Sequence, residues 1–143
     1  MPKRTIGNLL KVRQASVTET RSLLADALAA ERIAAEDETI ATTAIHDEVA
    51  AASALSANDG TVEALGAWLP QARVRQTAAR ERRQAAEVAT ARARAALAAA
   101  RAAEAAIESL IEVRKTEERL EAERRAQADL NEHFLTRLTK SNE

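Results

Sequence analysis

The chain has no cysteine, no tyrosine, one tryptophan (Trp68), one phenylalanine (Phe134), three glycines and two prolines among its 143 residues. Without cysteine there are neither disulfides nor thiolate metal centres, and the lack fits a cytoplasmic chain. With two aromatic residues, the large side chains that fill an ordinary globular core are missing. No stretch reaches the roughly 18 consecutive apolar residues of a bilayer-spanning helix. The opening MPKRTIGNLLKVR leads into no apolar run resembling a signal peptide. A net charge of -1 gives no basic excess of the kind that points to nucleic acid.

What is present is alanine, 36 residues of it, with glutamate, arginine and leucine. That is the composition of long helices or coiled coil, because these residues lose little side-chain freedom in a helix. Breakers cluster only at Asn58-Asp59-Gly60 and from Gly66 to Pro70, apart from Pro2 and Gly7 at the entrance. The expected architecture is all-α: one long antiparallel two-helix coiled-coil hairpin, with a first arm over about 5–57, a connecting tip at 58–70 and a second arm over about 71–139. Leu10, Val17, Leu24 and Leu28 give the first arm its stripe, continued with a shift of phase by Ile33, Ile40, Ile45 and Val49. The second arm's longest stripe alternates by three and four through Leu110, Val113, Glu117, Leu120, Arg124, Gln127, Asn131, Phe134 and Leu138. Leu24, Leu28, Leu110 and Val113 are the expected hairpin seam. Trp68 is expected either to cap the tip or to offer a partner contact.

Charge predicts how the arms pair. Residues 15–70 are acidic, whereas residues 71–101 carry eight arginines against Glu81 and Glu87. Residues 102–143 are mildly acidic, and residues 1–14 hold Lys3, Arg4, Lys11 and Arg13. Folding back at 58–70 brings opposite blocks together when paired residue numbers sum to roughly 125 to 130. Exposed pairs contribute about 0 to 1 kcal/mol each, so charge selects direction and register more than it stabilises. The second arm outruns the first beyond about residue 124, where Arg124, Gln127 and Asn131 replace apolar seam residues.

No motif points to catalysis, a cofactor or a metal. His46-Asp47-Glu48 and Glu132-His133 each set a histidine beside carboxylates, but helix neighbours diverge and no second histidine lies at i+4. There is no glycine-rich phosphate loop and no nucleophile elbow. The arginine run ARVRQTAARERRQ lacks interleaved aromatics and is matched by acids elsewhere in the chain. Its basic face also lacks the bulky apolar residues of a membrane-surface helix, so neither nucleic acid nor stable membrane insertion is expected.

The stretch IESLIEVRKTEERLEAERRAQADLNEHFLTR resembles the C-terminal helix of the FliJ family, the cytoplasmic coiled-coil component of the flagellar type III export apparatus, and of its injectisome counterpart YscO. Leu110-Ile111, the mixed charges from Glu117 to Arg125, then Arg125, Gln127 and Asn131-Glu132 carry the likeness, and LLKVRQASVTETRSLLADALAAE resembles the family's first arm. Asn131 stands where the pattern has an acid. The resemblance implies a monomeric, non-enzymatic stalk and activator of a hexameric export ATPase. It also implies contacts with the cytoplasmic domain of the export gate and with substrate chaperones, and a cytoplasmic location at the inner membrane through that apparatus. The implied partner-binding residues are Leu10, Arg13, Leu120, Arg124, Arg125, Gln127, Leu130 and Phe134. A generic coiled-coil scaffold, which would form dimers or trimers, and a nucleic-acid-binding arm remain the other readings.

Overall fold

A computed structural model describes residues 3–141. Among them are two helices, α1 (Lys3–Ala52) and α2 (Asp59–Lys140), and no strand. The protein is an all-α hairpin whose two long helices pack against each other. It comprises two units, one of Ser16–Ala100 and one formed by the segments up to Ala15 and from Arg101 onward.

The connection is shorter and earlier than the breaker pattern predicts. α1 unwinds through Ser53, whose amide donates to the Val49 and Ala50 carbonyls, and Asn58 caps α2. The Asn58 side-chain oxygen accepts from the Thr61 amide at 2.9 Å and from the Thr61 hydroxyl at 3.0 Å. This satisfies a donor the first turn would otherwise leave open, and Asp59 adds a carboxylate at the positive end of the helix. Gly66 to Pro70, expected as part of the tip, lies inside α2 instead. Pro70 deprives the Gly66 carbonyl of its helical donor, at a cost of about 3 kcal/mol. That is offset by packing on both sides, where Leu69 is half-buried and Ala72 buried.

In the Ser16–Ala100 unit the arms meet along two stripes of alternating three- and four-residue spacing. On α1 the stripe runs Val17, Thr20, Leu24, Ala27, Glu31, Ala34, Glu38, Ala41, Ile45; on α2 it runs Leu69, Ala72, Gln76, Ala79, Arg83, Ala86, Thr90, Ala93, Leu97, Ala100. There is no stutter in the first stripe: Ile33 and Ile40, expected to shift its phase, are exposed. Alanine recurs every seven residues at 72, 79, 86, 93 and 100, so the backbones can sit at the close end of the usual 8–10 Å separation. Val17, Leu97 and Ala100 form a buried cluster with Leu24 against it.

Polar cross-links fix the register. The Thr90 hydroxyl, on the most buried of the described residues at 1% exposure, donates to the Ala27 carbonyl at 3.3 Å. The Gln76 side-chain amide donates to the Thr42 hydroxyl at 3.1 Å. Glu38, its side chain 14% exposed, accepts from Arg80 at 3.3 Å and from Arg83 at 3.1 Å. Paired numbers sum to roughly 117 to 121, below the expected range because the turn precedes residue 59. The expected charge pairing of basic α2 with acidic α1 is otherwise what the Glu38 cluster displays.

In the other unit, Ile6 is buried at 3% exposure and Ile107 and Ile111 are half-buried. Lys3, the first described residue, donates to Glu118 at 2.8 Å.

Candidate partner-binding surface

Every described residue from Lys115 to Ser141 is exposed. Since Lys3 meets Glu118, α2 runs on for some 22 residues without an opposing helix, about 33 Å at 1.5 Å per residue. Carrying the heptad phase past Glu118 explains the change: the next positions are Glu121, Arg125, Ala128, Glu132, Leu135 and Thr139, a face too polar to bury. The helix holds itself instead, with Arg125 to Glu121 at 3.2 Å, Arg119 to Glu123 at 3.8 Å and the Thr136 hydroxyl on the Glu132 carbonyl at 2.8 Å. Such pairs contribute a few tenths of a kcal/mol each to a lone helix.

The residues proposed for partner contact fall mostly on this stretch. Leu120, Arg124, Arg125, Gln127, Leu130 and Phe134 are all exposed, Phe134 at 66%. Leu130, Phe134 and Leu138 recur every four residues and therefore share one line of the helix. Leu10 is half-buried and Arg13 exposed on α1 in the same unit.

Of the four expected seam residues, Leu24 packs against the buried cluster. Leu28, Leu110 and Val113 are exposed, the last two displaced one position from the stripe of Ile107, Ile111 and Arg114 that faces α1. A one-residue error turns a side chain by about 100° around the helix, enough to carry it out of a coiled-coil seam. Sequence reasoning missed Ile6, Ile107, Ile111 and the alanine layers; the seven-residue recurrence of Ala72 to Ala100 was the signal that marked the phase.

Several shallow concave regions lie along the helices, two of them with apolar walls. In the Ser16–Ala100 unit, Trp68, Ile40 and Ala44 flank a groove of about 410 Å³ edged by Asp37, Arg75 and Arg82. Trp68 is thus a half-buried wall of a groove on α2 rather than a cover over the tip. In the other unit a notch of about 290 Å³ opens over Ile6, Gly7 and Ile111, beside Lys3, Arg114 and Lys115.

Electrostatically the Glu38 cluster stands apart. The hydrogen bond from Arg83, opposed by desolvation and reinforced by Arg80, holds the Glu38 carboxyl below its ordinary value, and the same contact raises Arg83. This is structural chemistry, with both partners within the hairpin. Among the described residues, no three His, Cys, Asp or Glu gather where they could hold a metal ion, and no helix is long and apolar enough to cross a membrane. The chain matches no protein-family model, no curated protein and no solved structure.

Proposed function

We propose that this protein is a non-enzymatic coiled-coil component of a bacterial type III export apparatus, the central stalk and activator of a hexameric export ATPase. In this reading it acts in the cytoplasm, at the inner membrane through that apparatus, and links the ATPase to the export gate and to substrate chaperones. The observation that supports it is the unopposed end of α2, in which exposed charges alternate along a helix that has lost its partner. The likeness of residues 107–137 to the FliJ family gives that end its role. A shaft meeting six subunits in turn is better served by screened, reversible charge contacts than by tight apolar docking on one of them.

The test uses the cognate export ATPase. Reversing Arg124 and Arg125 to Glu should leave helicity and melting unchanged, because neither side chain crosses the seam, while lowering binding and ATPase stimulation together. Deleting residues 126–143 should lower both further. Wild-type binding and stimulation in both variants overturn the stalk reading. The line of Leu130, Phe134 and Leu138 favours one second reading, a self-associating scaffold. Light scattering that returns a dimer or trimer supports the scaffold, and a monomer supports the stalk.

A further inference from the structure

We propose that the arginine-bearing side of the Ser16–Ala100 unit docks an amphipathic helix of a partner protein, one that carries carboxylates on both edges of a short apolar stripe. This goes beyond the stalk reading, which concerns the end of α2, and does not rest on it. The two sides of the seam differ. Glu38 bonded to Arg80 and Arg83, and Gln76 bonded to Thr42, mark one side; the groove of Asp37, Ile40, Arg75 and Arg82 marks the other. Seven-residue steps carry the first side through Arg21, Leu28 and Ala35 on α1 and through Arg73, Glu87 and Arg94 on α2, with Arg32 further round in the line of Thr39. The same steps put Glu19, Asp26 and Asp47 on the second side, in the line of Ile40.

The acids of α1 therefore stand mostly away from this row of arginines. The first side holds Arg21, Arg32, Arg73, Arg80, Arg83 and Arg94 against Glu31, Glu38 and Glu87. Glu38 and Glu87 are taken up by Arg80 and Arg83. Among the described residues, Arg21, Arg32, Arg73 and Arg94 make no ion pair. The remaining carboxylate of this side, Glu31, is half-buried in the seam.

Three of the four unpaired arginines gather round one leucine. Leu28 is 41% exposed, with Arg21 two turns before it and Arg32 one turn after it. The register sets Arg94 level with about residue 25, one turn away on the neighbouring helix. Ala25, Ala35, Ala91 and Ala98 keep the surface around it low, so another helix can come close. A leucine on such a surface suits the apolar stripe of a helix, and arginines on both arms suit carboxylates on both its edges. No aromatic side chain stands on this side to stack on a base or enter a bilayer, since Trp68 lines the groove on the other side.

From Arg73 to Arg94 the face is about 32 Å long, which matches a helix of three heptads. The probe is therefore a designed helical peptide of about 21 residues, with a leucine stripe flanked by glutamates on both edges. Its comparison carries glutamine at those flanking positions. Binding of the labelled peptides to the full chain is followed by fluorescence anisotropy, with circular dichroism to check that each variant keeps its helicity.

The acidic peptide should bind about tenfold or more tightly than the glutamine peptide, and added salt should weaken it. Arg21→Gln together with Arg94→Gln should weaken it about tenfold, and Leu28→Ala should weaken it as well. Arg75→Gln together with Arg82→Gln, which removes the same charge from the other side, should leave the affinity in place. No binding of the acidic peptide, equal binding of the glutamine peptide, or an equal loss in the two arginine pairs overturns the proposal. Tighter binding of duplex DNA, or of phosphatidylglycerol vesicles, overturns it too and assigns the arginines to phosphates.

Discussion

Residues 72–100 and residues 119–140 are both alanine-, arginine- and glutamate-bearing stretches of the same helix, yet the first is half of a packed interface and the second is exposed throughout. Composition does not separate them; recurrence does. In the first stretch the small residues return every seven positions, so that one narrow stripe is free of charge except at Arg83. In the second, Ala122 and Ala126 lie off the stripe that would meet α1, and that stripe holds Glu121, Arg125 and Glu132 around Ala128. An alanine is a contact residue here where it recurs in the seven-residue phase that faces α1.

The contrast is sharpest for large side chains. Leu97→Ala should cost about 2 to 4 kcal/mol, because it opens a cavity in the cluster with Val17, Leu24 and Ala100. Leu130→Ala should change stability by less than about 0.5 kcal/mol. Thermal melts followed by circular dichroism decide this, and equal shifts would erase the distinction between the stretches.

Overfilling should give the next largest effect. Ala79 is 2% exposed, so Ala79→Leu should cost about 1 to 3 kcal/mol by forcing the backbones apart, whereas Ala126→Leu should leave the midpoint in place. Denaturant midpoints of the two variants provide the comparison.

Thr90→Val should cost about 0.5 to 1.5 kcal/mol through loss of its hydrogen bond across the interface. Thr136→Val, which removes a bond only to its own helix in the exposed stretch, should cost less than about 0.5 kcal/mol.

The smallest effect concerns pH. Glu38 has a folded-state value below its unfolded one, so its contribution is fully present above the ordinary glutamate range, near 4.5, and is lost as pH falls through the depressed folded value. Melting midpoints should therefore drop on the acid side, and Glu38→Gln should flatten that part of the profile. A Glu38→Gln protein with the wild-type acid slope would assign the slope to other carboxylates.

The two-helix architecture and the opposition of acidic α1 to basic α2 were legible because helix propensity and net block charge are local sums. The turn was not. Gly66 to Pro70 carries a strong local stop signal, but the tertiary contacts of Leu69 and Ala72 override it, and the register moved with the turn. The phase of the second arm was ambiguous for a different reason: Ile107, Leu110, Ile111 and Val113 supply large apolar residues to two adjacent stripes, and only the alanines upstream choose between them. Alanine is the commonest residue here, so its seven-residue recurrence is hard to tell from filler. The exposed end was recognised, and its start moved from about residue 124 to just past Glu118 once Lys3 was seen to meet that glutamate.

The five alanines at 72, 79, 86, 93 and 100 are interchangeable rungs. Sliding α1 along α2 by seven residues, about 10.5 Å, returns small side chains onto small side chains, so the rungs alone do not tell one alignment from the next. Glu38 does. Displaced one step toward the C-terminal end of α2 it would stand beside Glu87, and one step the other way it would leave Arg83 behind and find Arg73 and Gln76. The alanine ladder sets how near the two helices stand, and a carboxylate caught between two arginines is the index mark at which the scale comes to rest.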